Sequence, residues 1–284
     1  MRLTSSIAGE ELTRINQFVY QEDAKTSLLG HAMIRGFLTR ATGLSSDKVR
    51  LSRSKFGKPE ICGEHHVRIG KSWPSVLDFN VSHSGDYCVL VGFWGNESCP
   101  DLTVGVDVTK VIEKKTKYEL ERFLSLMSRR EFLPAEWDIV TQVQDDRQKC
   151  VNFTRLWCLK ESFIKSIGLG LSFRLHRIDF RPAEANKYNI SADKLKKCFI
   201  SDTKVLVDGQ VADDWCFLET ALDESHLVAI GYNFKSTNAD IRILDSDGPF
   251  VEITVDSLVK DLTPLTELNE ENWTKFTSKN TKLT

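Results

Sequence analysis

The stretch WCLKESFIKSIGLGL, residues 157–171, carries the pattern from which the rest of the chain is best interpreted. Trp157, Glu161 and Lys165 are spaced at i, i+4 and i+8, so on a helix they lie on nearly one face. Gly168 then predicts the end of that helix. Taken alone, the Glu–Lys spacing also fits an exposed ion pair worth only about 0.3–0.5 kcal/mol. Its meaning therefore depends on what else the chain brings to this face.

A second candidate is Asp107, the one carboxylate in the apolar stretch VGVDV, residues 104–108. A charge inside such a strand must be paired, hydrogen-bonded or bound to a metal. A structural salt bridge and a metal ligand are both open. A second carboxylate at the same point would favour Mg²⁺, which often completes its coordination with substrate phosphates.

The segment RSKFGK, residues 53–58, gathers Arg53, Lys55 and Lys58 around Gly57. Cations beside a glycine, which lets the backbone approach closely, suit a phosphate group. A solvated basic turn has the same composition. A Walker A loop is excluded, because the pattern G-x-x-x-x-G-K-[ST] is absent.

The segment FNVSHSGDY, residues 79–87, places Ser82, His83 and Asp86 together at the end of a predicted strand. A hydroxyl and an imidazole are good donors to phosphate, but an ordinary hairpin cap is equally compatible. A serine hydrolase is a further alternative. It lacks support because G-x-S-x-G is absent and triad members are rarely neighbours in sequence.

The predicted elements give an α+β fold. In the first half, helices are expected over residues 11–41 and strands over 49–54, 78–83 and 87–94. In the second half, helices are expected at 117–134 and 149–167. The strands expected there are 102–108, 178–180, 203–207, 215–222 and 226–234. Both halves run from helices to a closing hairpin, so we expect two pseudo-symmetric lobes, each a small antiparallel sheet packed by helices. The first half has no counterpart of the strand at 102–108, which leaves a sheet edge uncovered.

The expected boundaries are a lobe over residues 1–101, a second lobe over 102–235, and a partly disordered extension over 236–284. Within this extension, residues 250–262 are amphipathic enough to dock on the body. The last residues are polar and are expected to form a loose end.

Composition limits the classes of function. The 284 residues are 41% hydrophobic and 27% charged with a net charge of −2, so no basic surplus points to nucleic acid. No apolar run approaches the roughly 18 residues needed to span a bilayer. The seven cysteines are odd in number and show no C-x-x-C pair. These features predict a cytosolic protein with reduced thiols and without membrane or nucleic-acid partners.

Three motifs in the order NVSHSGDY, VGVDV and WCLKESFIKSIG resemble the 4′-phosphopantetheinyl transferases. The pattern W-x-x-K-E-x-x-x-K, with G-[IV]-D upstream and a [ST]-H element before that, is specific in combination. TRINQF, AMIRGFL and SRSKFGKP extend the resemblance to the two-lobed, surfactin-type class and its animal branch, over about residues 11–235.

The resemblance implies a coenzyme A site with Mg²⁺. Asp107 and Glu161 would be metal ligands, and Glu161, Lys165 and His83 would carry the catalysis. Arg14 and residues 53–58 would hold the adenosine 3′-phosphate end. The matching positions in this chain are Arg14, Arg53, Ser54, Lys55, Phe56, Gly57, Lys58, Asn80, Val81, Ser82, His83, Asp107, Glu161 and Lys165.

The implied reaction is holo-acyl-carrier-protein synthesis: a carrier serine attacks the β-phosphorus of coenzyme A, and adenosine 3′,5′-bisphosphate leaves. The implied partners are acyl carrier protein domains of the fatty acid synthase and aminoadipate-semialdehyde dehydrogenase types, met by a monomeric enzyme. Many relatives have a third acid where this chain has Thr109. A non-catalytic coenzyme A-binding relative is the alternative.

Overall fold

The computed structural model describes residues 2–7, 9–62, 74–95, 102–114, 116–187, 198–233, 249–265, 267 and 270–282. Its helices are α1 (Arg2–Ser5), α2 (Gly9–Asn16), α3 (Gln21–Thr42), α4 (Lys117–Glu131), α5 (Pro134–Thr141), α6 (Asp146–Ile167), α7 (Glu184–Lys187), α8 (Val255–Lys260) and α9 (Glu270–Thr277). Its strands are β1 (Leu51–Arg53), β2 (Pro59–Ile61), β3 (Val76–Ser84), β4 (Tyr87–Gly95), β5 (Thr103–Lys110), β6 (Ile178–Arg181), β7 (Lys204–Val207), β8 (Gln210–Val211), β9 (Trp215–Ala221) and β10 (His226–Asn233). The predicted mixture of helices with small antiparallel sheets is confirmed.

The centre of the first half is α3 packed on a two-stranded hairpin, and β1 and β2 pair as a second small sheet. The predicted hairpin forms from β3 and β4, which pair antiparallel around the turn at Gly85. The predicted helical region divides into α2 and α3, and α3 ends at Gly43, whose φ of 67° is left-handed. Phe37 of α3 packs on Phe79 of β3 and Trp94 of β4, so aromatic contacts join the helix to the hairpin.

The second half repeats this order and adds strand β5 and a separate three-stranded sheet in the order β6-β7-β8. The sheet that contains β5 has the order β5-β10-β9, all antiparallel, and α6 crosses its face. Gly105 permits the close approach, because an added Cβ there would lie 2.2 Å from Ser162 O. In this lobe β5 covers one edge of β10. In the first lobe, β4 has no corresponding partner strand within the described residues.

The two halves meet where β3 lies beside β5, a contact that we call the β3–β5 junction. Alternate side chains of β3 point to one face and accept hydrogen bonds from alternate N–H groups on the free edge of β5. The pairs are Asp78 Oδ2 with Val104 N (2.7 Å), Asn80 Oδ1 with Val106 N (3.0 Å), Ser82 Oγ with Val108 N (3.3 Å) and Ser84 Oγ with Lys110 N (3.0 Å). Side chains, rather than backbone pairing, therefore join the halves at this edge.

The chain beyond residue 249 packs against the first half. Leu258 and Leu262 are buried against the helical layer of α2 and α3, so the predicted docking of residues 250–262 is confirmed. Phe276 of α9 is buried in the same cluster, and Lys279 is hydrogen-bonded to the first half, so the expected loose end is wrong for residues 270–280. The expected disorder falls partly on residues outside those that the structure describes, and the expected boundaries at 101/102 and 235/236 stay a prediction.

Several element boundaries differ from the predicted ones. The predicted helix at 117–134 ends at Glu131, and α5 starts separately at Pro134, which is favourable at the first position of a helix. The predicted strand at 49–54 is reduced to β1. No helix among the described residues has both the length and the apolar character that a membrane span requires.

Candidate active site

Asp107 is the centre of the hydrogen-bond network at the β3–β5 junction. It is only 5% exposed, because alternation along β5 turns it towards α6 while Val106 and Val108 enter the apolar cluster on the other face. Its Oδ1 accepts hydrogen bonds from Lys165 Nζ (2.6 Å) and from Ser82 Oγ (3.1 Å). The structure thus brings together three of the residues that the sequence places in the site.

The second oxygen of this carboxylate contacts Thr109, where many relatives are expected to have an acid. Thr109 Oγ1 donates to Asp107 Oδ2 at 2.6 Å. A carboxylate offers about four lone-pair sites. Lys165, Ser82 and Thr109 occupy three of them here, and the buried thiol of Cys158 also lies within hydrogen-bond reach of this carboxylate.

Glu161 lies one helical turn before Lys165 on α6, as the i, i+4 spacing predicts. Burial raises the pKa of the Glu161 carboxyl, and the neighbouring charge of Asp107 raises it further, while Lys165 acts in the opposite direction. Among the described residues, no side chain or backbone group hydrogen-bonds its carboxylate. Two neighbouring carboxylates, one of them unpartnered, form the kind of oxygen donor set that binds a divalent cation.

Ser82 is embedded in the network rather than open to substrate. It is 4% exposed. Its single proton goes to Asp107, and its two lone pairs accept from Val108 N (3.3 Å) and Lys165 Nζ (2.8 Å). Since this hydroxyl has no remaining hydrogen-bonding capacity and is buried, the serine hydrolase alternative finds no support.

A cleft of about 400 Å³ runs between the two halves in front of this network. The predicted site residues that line it are Arg14, Arg53, Phe56, Gly57, Lys58, Asn80, Val81, His83, Glu161 and Lys165. Ser82 and Asp107 lie behind its wall, and Ser54 and Lys55 lie outside its lining. The volume is within the usual range for small-molecule sites, roughly 300–1,000 Å³.

The cleft is basic at one end. Burial lowers the pKa of Arg53, and the charge of Arg14 lowers it further, so the two guanidinium groups face the same space. Like charges held together in this way favour an anionic ligand. At the other end, partial burial lowers the pKa of His83, and the charge of Lys165 contributes in the same direction.

The sequence interpretation missed the wall formed by α3. Thr26, Ser27, Gly30 and His31 line the cleft on this helix. The signal that was available is the set of small and polar residues at i, i+3 and i+4, Ser27, Gly30 and His31, on one face of this helix. Asp78 was also missed, although it starts the alternating polar pattern of β3.

The comparisons with known proteins agree with this geometry. The family described as "4′-phosphopantetheinyl transferase, N-terminal" matches residues 1–94, and the "4′-phosphopantetheinyl transferase superfamily" matches residues 103–229. The chain belongs to the 4′-phosphopantetheinyl transferase superfamily. Its function is the transfer of phosphopantetheine to carrier proteins, and the family resemblance inferred from the motifs is confirmed.

Particular relatives place it within that superfamily. The chain is 31% identical over 277 residues to the L-aminoadipate-semialdehyde dehydrogenase-phosphopantetheinyl transferase of Homo sapiens, covering 95% of this chain and 83% of that protein. The Xenopus laevis protein of the same name is 32% identical over 276 residues, covering 96% of this chain and 84% of that protein. The 4′-phosphopantetheinyl transferase Sfp of Bacillus subtilis is 30% identical over 207 residues, with 72% and 80% covered.

Proposed function

We propose that the cleft binds coenzyme A and that the chain transfers its 4′-phosphopantetheine arm to a serine of an apo carrier protein domain. The observation that carries this proposal is the network of Asp107, Lys165 and the unpartnered Glu161 at one end of a cleft whose other end is basic. A pyrophosphate would lie at the first end, and Arg14 with Arg53 would receive the 3′-phosphate. The roles that the family resemblance implies for the fourteen matching residues remain proposals, and Lys58 is considered separately below.

The carboxylates fit a bound Mg²⁺. Glu161, beside Asp107, has no hydrogen-bond partner among the described residues, and its raised pKa would be lowered by a nearby cation. When bound, the metal would stabilise negative charge on the pyrophosphate oxygens. Among the described residues, no group of three or more His, Cys, Asp or Glu side chains is arranged to hold an ion. Water and phosphate oxygens would therefore supply the remaining ligands.

The chain's own residues account for the other requirements of the reaction. Lys165 donates two of its three protons to Asp107 and Ser82, which leaves one for a phosphate oxygen. Glu161 is placed to accept the proton of the carrier serine as the serine oxygen bonds to the β-phosphorus. The bond from that phosphorus to the oxygen of adenosine 3′,5′-bisphosphate breaks, and adenosine 3′,5′-bisphosphate leaves. The carrier serine keeps the phosphopantetheine.

Both carrier classes suggested by the sequence are proposed as substrates: fatty acid synthase type and aminoadipate-semialdehyde dehydrogenase type. The names of the relatives support the second class. We also propose that the two matched stretches correspond to lobes 1–101 and 102–235. We further propose that the enzyme is monomeric and cytosolic and has no nucleic-acid partner.

The test is an intact-mass assay of an apo carrier protein after incubation with the protein, MgCl₂ and coenzyme A. We expect a mass gain of one phosphopantetheine, which is absent for Glu161→Gln and Asp107→Asn and retained for Glu121→Gln, an exposed acid on α4. Coenzyme A binding by calorimetry without any mass gain would instead indicate the non-catalytic alternative. Full transfer by either site variant would refute the assigned roles.

A further inference from the structure

The ammonium group of Lys58 is already occupied inside the protein. Its Nζ lies 2.8 Å from Asp78 Oδ2, 3.3 Å from Ser166 O and 3.4 Å from Val104 O. The side chain is only 11% exposed. An ammonium group has three protons, and these three acceptors account for all of them. The carbon stem of Lys58 lines the cleft, but its charge points into the body of the protein.

The acceptors of Lys58 belong to the second half and to the β3–β5 junction. Asp78 Oδ2 also accepts from Val104 N, so the carboxylate is held at the first contact of that junction. Ser166 is in the last turn of α6, directly after Lys165. Lys58 therefore connects its own loop to the helix that carries the proposed catalytic residues.

The loop that Lys58 anchors is closed by its own hydrogen bonds. Ser54 N donates to Lys58 O at 2.9 Å, and Lys58 N donates to Ser54 Oγ at 3.0 Å. Arg53 donates to Gly57 O at 2.7 Å. Because these bonds join the two ends of the loop, a displacement of Lys58 also moves Arg53, whose guanidinium faces the basic end of the cleft.

We propose that Lys58 and Asp78 are a positioning pair that holds the basic loop 53–58 at a fixed distance from the C-terminal end of α6, and that Lys58 is not a phosphate ligand. The proposal rests on the proposed function for the identity of the ligand, coenzyme A. It assigns a role to Asp78 and replaces the expected role of Lys58. The physical basis is that a cleft built from two halves binds a long ligand tightly only when the distance between its ends is fixed.

The variants Lys58→Met and Asp78→Asn distinguish positioning from phosphate binding, because the two roles predict opposite effects at Asp78. A positioning pair predicts that each variant raises the KM for coenzyme A by about tenfold, the scale of one lost charged hydrogen bond. The kcat at saturating coenzyme A should change little, and the double variant should be no worse than either single one. A phosphate-binding Lys58 predicts instead that Asp78→Asn leaves the KM unchanged or lowers it. That result would overturn the proposal.

Hydrogen exchange of the ligand-free protein tests the same pair without reference to activity. We expect the amides of Gly57 and Lys58 to exchange faster in both variants than in the wild type. In Lys55→Met, which alters a lysine of the same loop outside the cleft lining, they should exchange at the wild-type rate. Unchanged exchange in Lys58→Met and Asp78→Asn would also overturn the proposal. If the wild type failed to bind coenzyme A, the proposed function would fall, and the exchange result would still decide whether the pair holds the loop.

Discussion

Thr109 and Asp107 show how one hydroxyl can occupy a position where a carboxylate is expected. Thr109 donates a 2.6 Å hydrogen bond to Asp107 Oδ2, so it stabilises the negative charge of Asp107. A third acid at this position would add a negative charge to the same space. We infer that the hydroxyl fixes the orientation of the Asp107 carboxylate without adding a second negative charge beside it.

The first prediction concerns this hydroxyl. Thr109→Val preserves the shape of the side chain but removes the donor, and we expect kcat/KM in the carrier-modification assay to fall by about tenfold or more. Thr109→Ser retains the donor and should stay close to the wild type. Equal activity of the valine variant and the wild type would show that the orientation of Asp107 does not depend on Thr109.

At the scale of the element, α6 separates two adjacent charged residues. Glu161 faces the cleft, whereas Lys160 points away from it and is completely buried beside Glu136 of α5. Successive residues on a helix are rotated by about 100°, which produces this separation. Lys160 Nζ lies 2.8 Å from Glu136 Oε2 and also donates to two backbone carbonyls. The pair is structural, although it is part of the sequence motif.

The second prediction tests that assignment. Lys160→Met leaves the Glu136 carboxylate buried without its cation, and we expect a loss of about 3–5 kcal/mol in the free energy of unfolding. Lys149→Met removes a more exposed lysine of the same helix and should cost at most about 1 kcal/mol. Denaturant titration measures both. Combining Lys160→Met with Glu136→Gln removes the unpaired charge and keeps an acceptor for the N–H groups of Leu133 and Phe180, so it should recover part of the loss. A double variant no more stable than Lys160→Met alone would contradict the explanation.

The third prediction concerns the contact between α2 and α3. Burial acts to raise the pKa of Glu11, but hydrogen bonds and charges of His31 and Arg35 outweigh it and lower the value to about 2, from 4.5. A depressed folded-state pKa stabilises the protein above the unfolded-state value, and the contribution is lost as the pH falls. We therefore expect Glu11→Gln to be less stable than the wild type at pH 7, with a difference that shrinks from about pH 4.5 towards pH 2.

Denaturant midpoints measured across this range of pH provide the check. Glu10→Gln alters an exposed acid on the same helix and should give a curve parallel to that of the wild type. A Glu11→Gln difference that stays constant over the whole range would exclude the ionised carboxylate as its source.

At the scale of the whole molecule, the last part of the chain completes the helical layer of the first half. Leu258, Leu262 and Phe276 are buried with Ala24 and Leu28. Lys279 Nζ donates to two backbone carbonyls at the end of α2, those of Asn16 and Phe18, each at 2.7 Å. Residues far apart in sequence thus form one apolar cluster, which includes the face of α3 opposite to the cleft.

The fourth prediction tests how much this docking stabilises the protein. Leu258→Ala should cost about 2–5 kcal/mol, because it opens a cavity against α3. Val255→Ala, on the same short helix, removes a side chain that is 50% exposed and should cost less than about 0.5 kcal/mol. Similar effects of the two substitutions would mean that the C-terminal stretch contributes little to stability.

The spacing of residues along the chain was sufficient to predict several features. The helix that carries Glu161 and Lys165, the hairpin at Ser82 and His83, and Asp107 in an apolar strand are all where the periodicities indicate. These are local properties, because helix and strand periods depend on neighbouring residues. The partners of Lys58 could not be predicted in this way, since Asp78 and Ser166 are distant in sequence.

The sequence by itself determined the α+β class, the order of elements in two similar halves, and the family, because motif order and local periodicity survive without a structure. Only the tertiary structure decided which polar side chains face the cleft and which are used internally. Ser82 and Lys58 are polar residues in motifs, and both donate into the protein. The reason is physical: a hydroxyl or an ammonium is satisfied by whichever acceptors folding brings within about 3 Å, and those acceptors come from distant strands and helices.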